Sequence, residues 1–380
     1  MVSDNQNTLY MNSTKPHFSD SLAHFNDVLT WAQNQDVEGL RSFLHSESHL
    51  PLLGISSGGA SSPLHYACLM YGTANGIGRA ITPLEFASIS DNAVKNSKVL
   101  ILSNSGHGVD PEYTGRRAFT LNPGRSACIT TPSSDNVLIP RAEKTRASAF
   151  IYDWPSFGCS GFVGSLNHIA TFGLFYKAFT GDSDFASKLA FNPAPESNFV
   201  YRTRVAGGEV KPLGSYKHYI VLYGGYGEPA AIDLETKFHE SGIASVQLAD
   251  YRNFTHGRFI FESNNFDDTC IVLLRTPREK KFSEQAILEA KGIHKDKSTG
   301  VLPDLFPADM PVVIIDTEHD SPLASIDLLM KSQVFFSAAA DSAGIEPFNP
   351  SNPKKIDKRA LRQKPFPGIA KATLQNDFGL

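Results

Sequence analysis

The stretch Tyr219-Ile220-Val221-Leu222-Tyr223-Gly224-Gly225-Tyr226-Gly227-Glu228-Pro229 changes character halfway along, from an unbroken apolar run to a glycine-rich one. A short apolar run bounded by glycines is the pattern of a strand buried on both faces of a parallel sheet. A helix from Ala230 to Ser241 is expected after the loop. Val272-Leu273-Leu274 and Val312-Val313-Ile314-Ile315 supply further buried strands in this half.

The same pattern stands in the first half. Leu50-Pro51-Leu52-Leu53-Gly54-Ile55 runs into a Ser/Gly cluster, and an apolar-periodic segment from Pro63 to Tyr71 follows, giving strand, loop and helix. Val99-Leu100-Ile101-Leu102 then leads into the loop Ser103-Asn104-Ser105-Gly106-His107-Gly108. Two such arrays roughly 170 residues apart point to an internal duplication. Before them, Ser19 to Leu44 carries Leu22, Phe25, Val28, Leu29, Trp31 and Ala32 at helical spacing, with Ser19 or Asp20 as its cap.

The expected organisation is a flexible N-terminus over 1–17, α/β domains over 18–190 and 205–345, and a C-terminal arm over 346–380. Pro and Gly concentrate between 185 and 215, where the boundary should lie. Beyond Gly344, the Pro- and Lys-rich tail is not expected to form a packed element.

Composition narrows the function. The 380 residues are 41% hydrophobic and 19% charged, a globular balance sufficient for two or three domains. A formal net charge of −4 argues against nucleic acid or an anionic membrane as partner, since both select basic surfaces. Cys68, Cys128, Cys159 and Cys270 are far apart and form no C-x-x-C pair, so neither a zinc knuckle nor a disulfide framework is indicated. No basic-then-apolar leader opens the sequence and no run reaches membrane-spanning length, so a cytoplasmic protein is expected.

The loops carry the chemistry. Ser103, Asn104, Ser105 and Gly106 offer hydroxyls, an amide and backbone N–H groups at a positive helix end, which suits a phosphate ester. The same serines equally serve as helix caps. The Ser56–Ser62 cluster, with Ser57 and Ser61, has both readings as well. Two such loops in adjacent βα units favour a shared ligand.

These residues resemble the SIS (sugar isomerase) domains, in particular the isomerase half of glucosamine-6-phosphate synthase. Gly59-Ala60-Ser61 and Ser103-Asn104-Ser105-Gly106 match the family's two phosphate loops in order and spacing, and Glu85-Phe86 matches the pair between them. One departure is clear: where the family often has an acidic residue and a Thr, this chain has His107 and Gly108, which leaves room for an altered ligand. The resemblance implies two SIS domains, each a parallel β-sheet flanked by helices in three αβα layers, followed by a C-terminal arm.

It also implies a site. The family's isomerases place a catalytic Glu on the helix after the second glycine-rich loop and a catalytic His in a His-Gly pair sixteen positions later. Glu240 and His256-Gly257 stand at that spacing, and Lys237 matches a family lysine three residues before the Glu. Aldose–ketose isomerisation needs a base between C1 and C2 and a second group to open the ring. Taken singly, Glu240 fits a solvated helix carboxylate and His256 a turn residue; their joint spacing favours chemistry. His107 reads as a satisfied loop histidine or a proton shuttle, and Tyr251, Arg252 and Asn253 neighbour His256 only in sequence.

Pro367-Gly368-Ile369-Ala370-Lys371-Ala372-Thr373 resembles the family's terminal arm, whose lysine forms a Schiff base with the open-chain sugar. Lys371 is therefore a candidate, with Lys354 or Lys355 as alternative equivalents and a surface tail lysine as the plain reading. No cofactor and no metal are implied. With Val2 at position 2 and no glutaminase segment ahead of the sugar-binding region, ammonia transfer from glutamine is not expected. The resemblance implies an isomerase, deaminase or deglycase of a phosphorylated sugar or amino sugar, working as a homodimer with sites near the subunit interface. The competing class is a sugar-phosphate sensor without turnover, although residues 1–45 are too short and too weakly basic for a DNA-binding helix-turn-helix.

Overall fold

A computed structural model describes residues 15–74, 76–202, 211–284 and 311–350. Helices α1 (Phe18–Leu22), α2 (Phe25–Asn34) and α3 (Glu38–His45) lead into β1 (Leu52–Ile55), α4 (Ser61–Ala74), β2 (Gly78–Ile81), α5 (Pro83–Ala87) and α6 (Asp91–Lys95). There follow β3 (Lys98–Leu102), α7 (Val109–Leu121), β4 (Ser126–Thr130), α8 (Leu138–Thr145), β5 (Ser148–Ile151) and α9 (Leu166–Thr180). The second array comprises β6 (Val200–Arg202), β7 (His218–Tyr223), α10 (Glu228–Ser241), β8 (Ser245–Asp250), α11 (Tyr251–Asn253), α12 (Phe259–Asn264), β9 (Thr269–Arg275), α13 (Pro277–Ser283), β10 (Val312–Asp316) and α14 (Leu323–Ala343).

The described residues form two five-stranded sheets, ordered β2-β1-β3-β4-β5 and β6-β10-β9-β7-β8. The first is parallel throughout; in the second only β6 runs antiparallel, against β10. Every residue of β1, β3, β4 and β9 is buried, as expected of strands covered on both faces. β1 has β2 on one side and β3 on the other, and β7 is flanked in the same way by β8 and β9. This reversal of winding opens a crevice between β1 and β3, and again between β7 and β9.

Helices α4 and α9 from the first array meet α10 and α14 from the second. A continuous apolar core joins them, including Phe172, Leu234, Phe238, Phe335 and Phe336. Tyr66 stacks on Phe172 with ring centroids 4.6 Å apart, and its hydroxyl donates to the Pro322 carbonyl across the junction.

Two expectations are corrected. The segment expected to be one helix from Ser19 to Leu44 is three, because the backbone leaves helical geometry at His24 and turns extended at Gln35. Its cap is His17; Asp20 closes a capping box by accepting from the His17 N–H at 2.8 Å, and Ser19 lies inside the helix. The tail directly after Gly344 does pack. Phe348 is buried against Phe18, and Glu346 Oε1 accepts from the Phe18 N–H at 3.0 Å, so an aromatic and a capping carboxylate tie it down. Among the described residues, no helix is long and apolar enough to cross a membrane.

Candidate functional site

The crevice between β1 and β3 opens into a cavity of about 1040 Å³. It is lined by the loop after β1, including Ser56, Ser57 and Gly59, by Ser103, Asn104, Ser105, His107 and Gly108 of the loop after β3, and by the start of α7. Two helix N-termini, those of α4 and α7, follow these loops, so their positive ends converge on the same space. Among the described residues no Lys or Arg lines the cavity, while Asp110 and Glu240 bring two carboxylates.

Most of the predicted loop residues are at the cavity. Ser57, Ser103, Asn104, Ser105 and His107 line it; Ser61 begins α4 and Gly106 is buried, and neither is part of the lining. The capping role of the serines is also present. Ser103 Oγ accepts from the Gly106 N–H at 3.2 Å, and Ser57 Oγ donates to Asp110 Oδ2 at 3.3 Å. Gly106 has φ +61°, and a Cβ there would lie 2.1 Å from Asn136 Nδ2, so the loop requires glycine at that point. Glu85 and Phe86 are structural. Glu85 closes the cap of α5 with Thr82 at 2.8 and 3.1 Å, and Phe86 is buried; their neighbours Pro83 and Leu84 line the cavity instead.

Glu240 arrives from the other array. It stands in the last turn of α10, half-buried, and lines the cavity. A Cβ on Gly58, in the loop after β1, would lie 3.8 Å from Glu240 Oε1. The helix of the second array thus delivers a carboxylate into the crevice of the first.

Behind Glu240 lies a buried polar cluster. Lys237 Nζ donates to Asp233 Oδ1 at 2.8 Å and lies 3.2 Å from His168 Nδ1, which is itself 2.7 Å from Asp233 Oδ1. Gln333 Nε2 adds a donor 3.4 Å from Asp233 Oδ2. Of these four, His168 alone lines the cavity. Burial and the nearby Lys237 charge lower the His168 pKa, with Asp233 opposing. Burial raises the Asp233 pKa, but Lys237 and His168 outweigh it and leave the carboxyl below its ordinary value.

Sequence reasoning singled out Lys237 but neither Asp233 nor His168. The available signal was an Asp–Lys pair at i,i+4 on the face of α10 that carries Ala230, Leu234 and Phe238. His168 shows no local signal within the apolar α9.

Other predicted residues are not brought to this cavity. His256 is exposed in the segment Phe254–Arg258, where it (φ −92°, ψ 39°) and Gly257 (φ 103°) break the helix. Tyr251 is buried and donates to the Leu274 carbonyl at 3.0 Å; Arg252 and Asn253 are exposed away from the lining. Lys371, Lys354 and Lys355 lie outside the described residues.

Among the described residues, the carboxyl ends of the second sheet's strands carry charged side chains. A Cβ on Gly224 would lie 2.5 Å from Glu279 Oε1. Buried Arg275 makes a fork to Asp316 at 2.6 and 2.7 Å. Glu279 closes the cap of α13, accepting from the Thr276 N–H at 2.9 Å.

No protein-family model matches the sequence, and no curated protein matches it. Solved structures do. Tagatose-6-phosphate ketose/aldose isomerase from Escherichia coli superposes with a TM-score of 0.62 at 15% identity, covering 92% of this chain and 100% of its own. The C-terminal domain of glucosamine-fructose-6-phosphate aminotransferase from Francisella tularensis gives 0.60 at 10% identity, covering 89% and 99%. Glucosamine-6-phosphate deaminase from Thermotoga maritima gives 0.59 at 12% identity, covering 86% and 97%. The chain shares the double sugar-isomerase-domain fold over most of its length.

Proposed function

We propose that this chain is an isomerase-type enzyme acting on a phosphorylated sugar or amino sugar, by proton transfer at C1 and C2 of the open-chain form. The observation that carries this reading is the position of Glu240, a carboxylate from the second array set in the serine-lined crevice of the first. A carboxylate beside a hydroxyl-rich anion site is what an enediol mechanism requires: one group fixes the phosphate and the other moves the proton. Neighbours of the same fold include a sugar-phosphate ketose/aldose isomerase and an amino-sugar-phosphate deaminase, which supports the same substrate class.

In this mechanism the phosphoryl oxygens accept from Ser57, Ser103, Ser105 and the backbone at the starts of α4 and α7. Glu240 removes the proton alpha to the carbonyl. His256 opens the sugar ring from a second copy of the chain, since it is exposed and away from the cavity of its own. Such a composite site makes the working unit a homodimer, in the cytoplasm. Lys371, or Lys354 or Lys355, is the arm lysine that closes on the open-chain carbonyl. Lys237 acts from behind the wall, through Asp233 and His168.

The test is solvent exchange. Purified protein is incubated with fructose 6-phosphate, glucosamine 6-phosphate and fructosamine phosphates in D₂O, and deuterium at C1 and C2 is followed by NMR. Exchange that is lost in Glu240→Gln supports the enzyme. Binding without exchange would identify a sensor, and no binding at all would remove the phosphosugar reading.

A further inference from the structure

We propose that His168 is a second proton-transfer group of this cavity, its Nε2 carrying the proton between O1 and O2 of the sugar while Glu240 carries the one between C1 and C2. The assignment rests on the isomerase reading above and adds to it a residue that the spacing of Glu240 and His256 does not reveal.

The position of the imidazole comes first. His168 is 3% exposed, yet it lines the cavity together with Gly59 and Gly164. A Cβ on Gly59 or Gly164 would lie 2.9 or 2.8 Å from Nε2, so this edge of the ring fits the notch that the two glycines leave open. Glu240 Oε1 faces Gly58 in the same way. Gly58 and Gly59 are consecutive, with Cα atoms about 3.8 Å apart. A carboxylate and an imidazole therefore address one sugar-sized space from adjacent points of one loop.

The tautomer follows from the partners. Asp233 is fully buried and its Oδ1 lies 2.7 Å from Nδ1. A carboxylate only accepts, so Nδ1 carries the hydrogen and donates it. Lys237 donates to the same oxygen and keeps the carboxylate ionised. Nε2, packed against Gly59 and Gly164 of the cavity lining, is left with its lone pair. Burial and the Lys237 charge favour the neutral ring, the form that can accept a proton and release it again. Asp233 and Lys237 are positioning residues here, acting through the imidazole.

The step balances without a co-reactant. In the aldose-to-ketose direction Glu240 takes the C2 proton, the C–H electron pair becomes the C1=C2 bond, and the former carbonyl pair moves onto O1. The proton on the C2 substituent, O2 or the nitrogen of an amino sugar, passes to Nε2 and from there to O1. Glu240 then returns its proton to C1 as the lone pair left on that substituent forms the C2 carbonyl or imine. The enzyme ends in the state in which it began.

Two measurements test this. The first compares wild type, Glu240→Gln, His168→Gln and His168→Gly on whichever of fructose 6-phosphate and glucosamine 6-phosphate wild type turns over. His168→Gln is expected to lose roughly 100-fold or more in turnover with substrate affinity nearly unchanged, and free imidazole is expected to restore turnover to His168→Gly, a rescue that a packing role does not produce. Wild-type turnover in His168→Gln, with Glu240→Gln inactive, overturns the His168 assignment and leaves the isomerase reading standing. An inactive wild type removes both. The second measurement needs no folded variant: ¹⁵N NMR of histidine-labelled wild type should show His168 protonated at Nδ1, with the Nε2 resonance moving when fructose 6-phosphate is added. An Nε2-protonated ring, or a resonance that the sugar phosphate leaves unmoved, overturns the assignment.

Discussion

Asp233 Oδ1 and His168 Nδ1 lie 2.7 Å apart across the junction of the two sheets, both side chains almost fully buried. One comes from α10 and the other from α9, so the bond couples the packing of the two arrays to the wall of the cavity. Lys237, one helical turn beyond Asp233, supplies the positive charge that makes the burial of the carboxylate tolerable.

Removing that charge should be costly. Breaking a buried pair by deleting one partner typically destabilises by about 3 to 5 kcal/mol, because the other charge is left uncompensated. Lys237→Met is therefore expected to lower the urea midpoint strongly. The double variant Asp233→Leu/Lys237→Met should lose less than the sum of the two single changes, since neither charge is then stranded. Additive losses would show that the two side chains do not stabilise one another.

Stability should fall on mild acidification. In the unfolded chain His168 takes up a proton near its ordinary value of about 6.5, whereas burial and the adjacent Lys237 hold it neutral to lower pH in the folded protein. Below that value the unfolded state binds more protons, so the stability present above it is progressively lost as pH falls. His65, lowered by burial, acts in the same sense. Asp233 adds to the loss only at still lower pH, as its depressed carboxyl is protonated. Urea unfolding at pH 7.5 and pH 5.5 measures the effect, and His168→Gln should reduce the difference between the two.

Gly106→Ala should damage the loop after β3. The residue would sit at φ +61° with its Cβ within 2.1 Å of Asn136 Nδ2. A left-handed backbone alone costs about 1 to 2 kcal/mol for a residue with a Cβ, and the clash adds to that. Asn136 cannot easily give way, because its Oδ1 accepts from the Leu138 and Ile139 N–H groups at 2.9 and 3.1 Å. Thermal unfolding and sugar-phosphate affinity should both suffer; Gly108→Ala, which meets no atom within 4 Å, separates backbone strain from the clash.

The cysteines should divide by burial. Burial pushes the thiols of Cys68 and Cys128 up to about 12 and raises Cys270 as well, and all three are buried. Cys159 is only half-buried. Since the thiolate is the reactive species, titration of the native protein with a disulfide reagent at pH 8 should consume one thiol quickly and all four after denaturation. Rapid reaction of more than one would contradict the packing around β1, β4 and β9.

The strands that announced themselves in the sequence are those buried on both faces, such as Val99–Leu102 and Val272–Leu274. Strands at or near the edges, such as β2 (Gly78–Ile81) and β5 (Ser148–Ile151), did not, because partial exposure admits Arg, Ser and Gly and removes the apolar run. The serines of the loop after β3 were legible as a pair, but their local bonds became clear only with the turn built. Spacing singles out Glu240 in the sequence, and the structure places it at the cavity. It does not single out His168, whose partner lies 65 residues away on a different helix.

Residue order alone determined the alternation of apolar strand, Gly/Ser loop and helix, and its repetition. A strand covered on both faces and a loop that must turn sharply each leave a trace along one dimension. Tertiary structure decided which side chains stand at each crevice. The one between β1 and β3 opens into a cavity that Glu240 of α10 lines, whereas Glu279 packs against Gly224 after β7 and Arg275 pairs with Asp316 at the ends of β9 and β10. The difference lies in which side chains the packing of α4, α9, α10 and α14 brings to each strand end, and contacts between segments far apart in the chain set that packing.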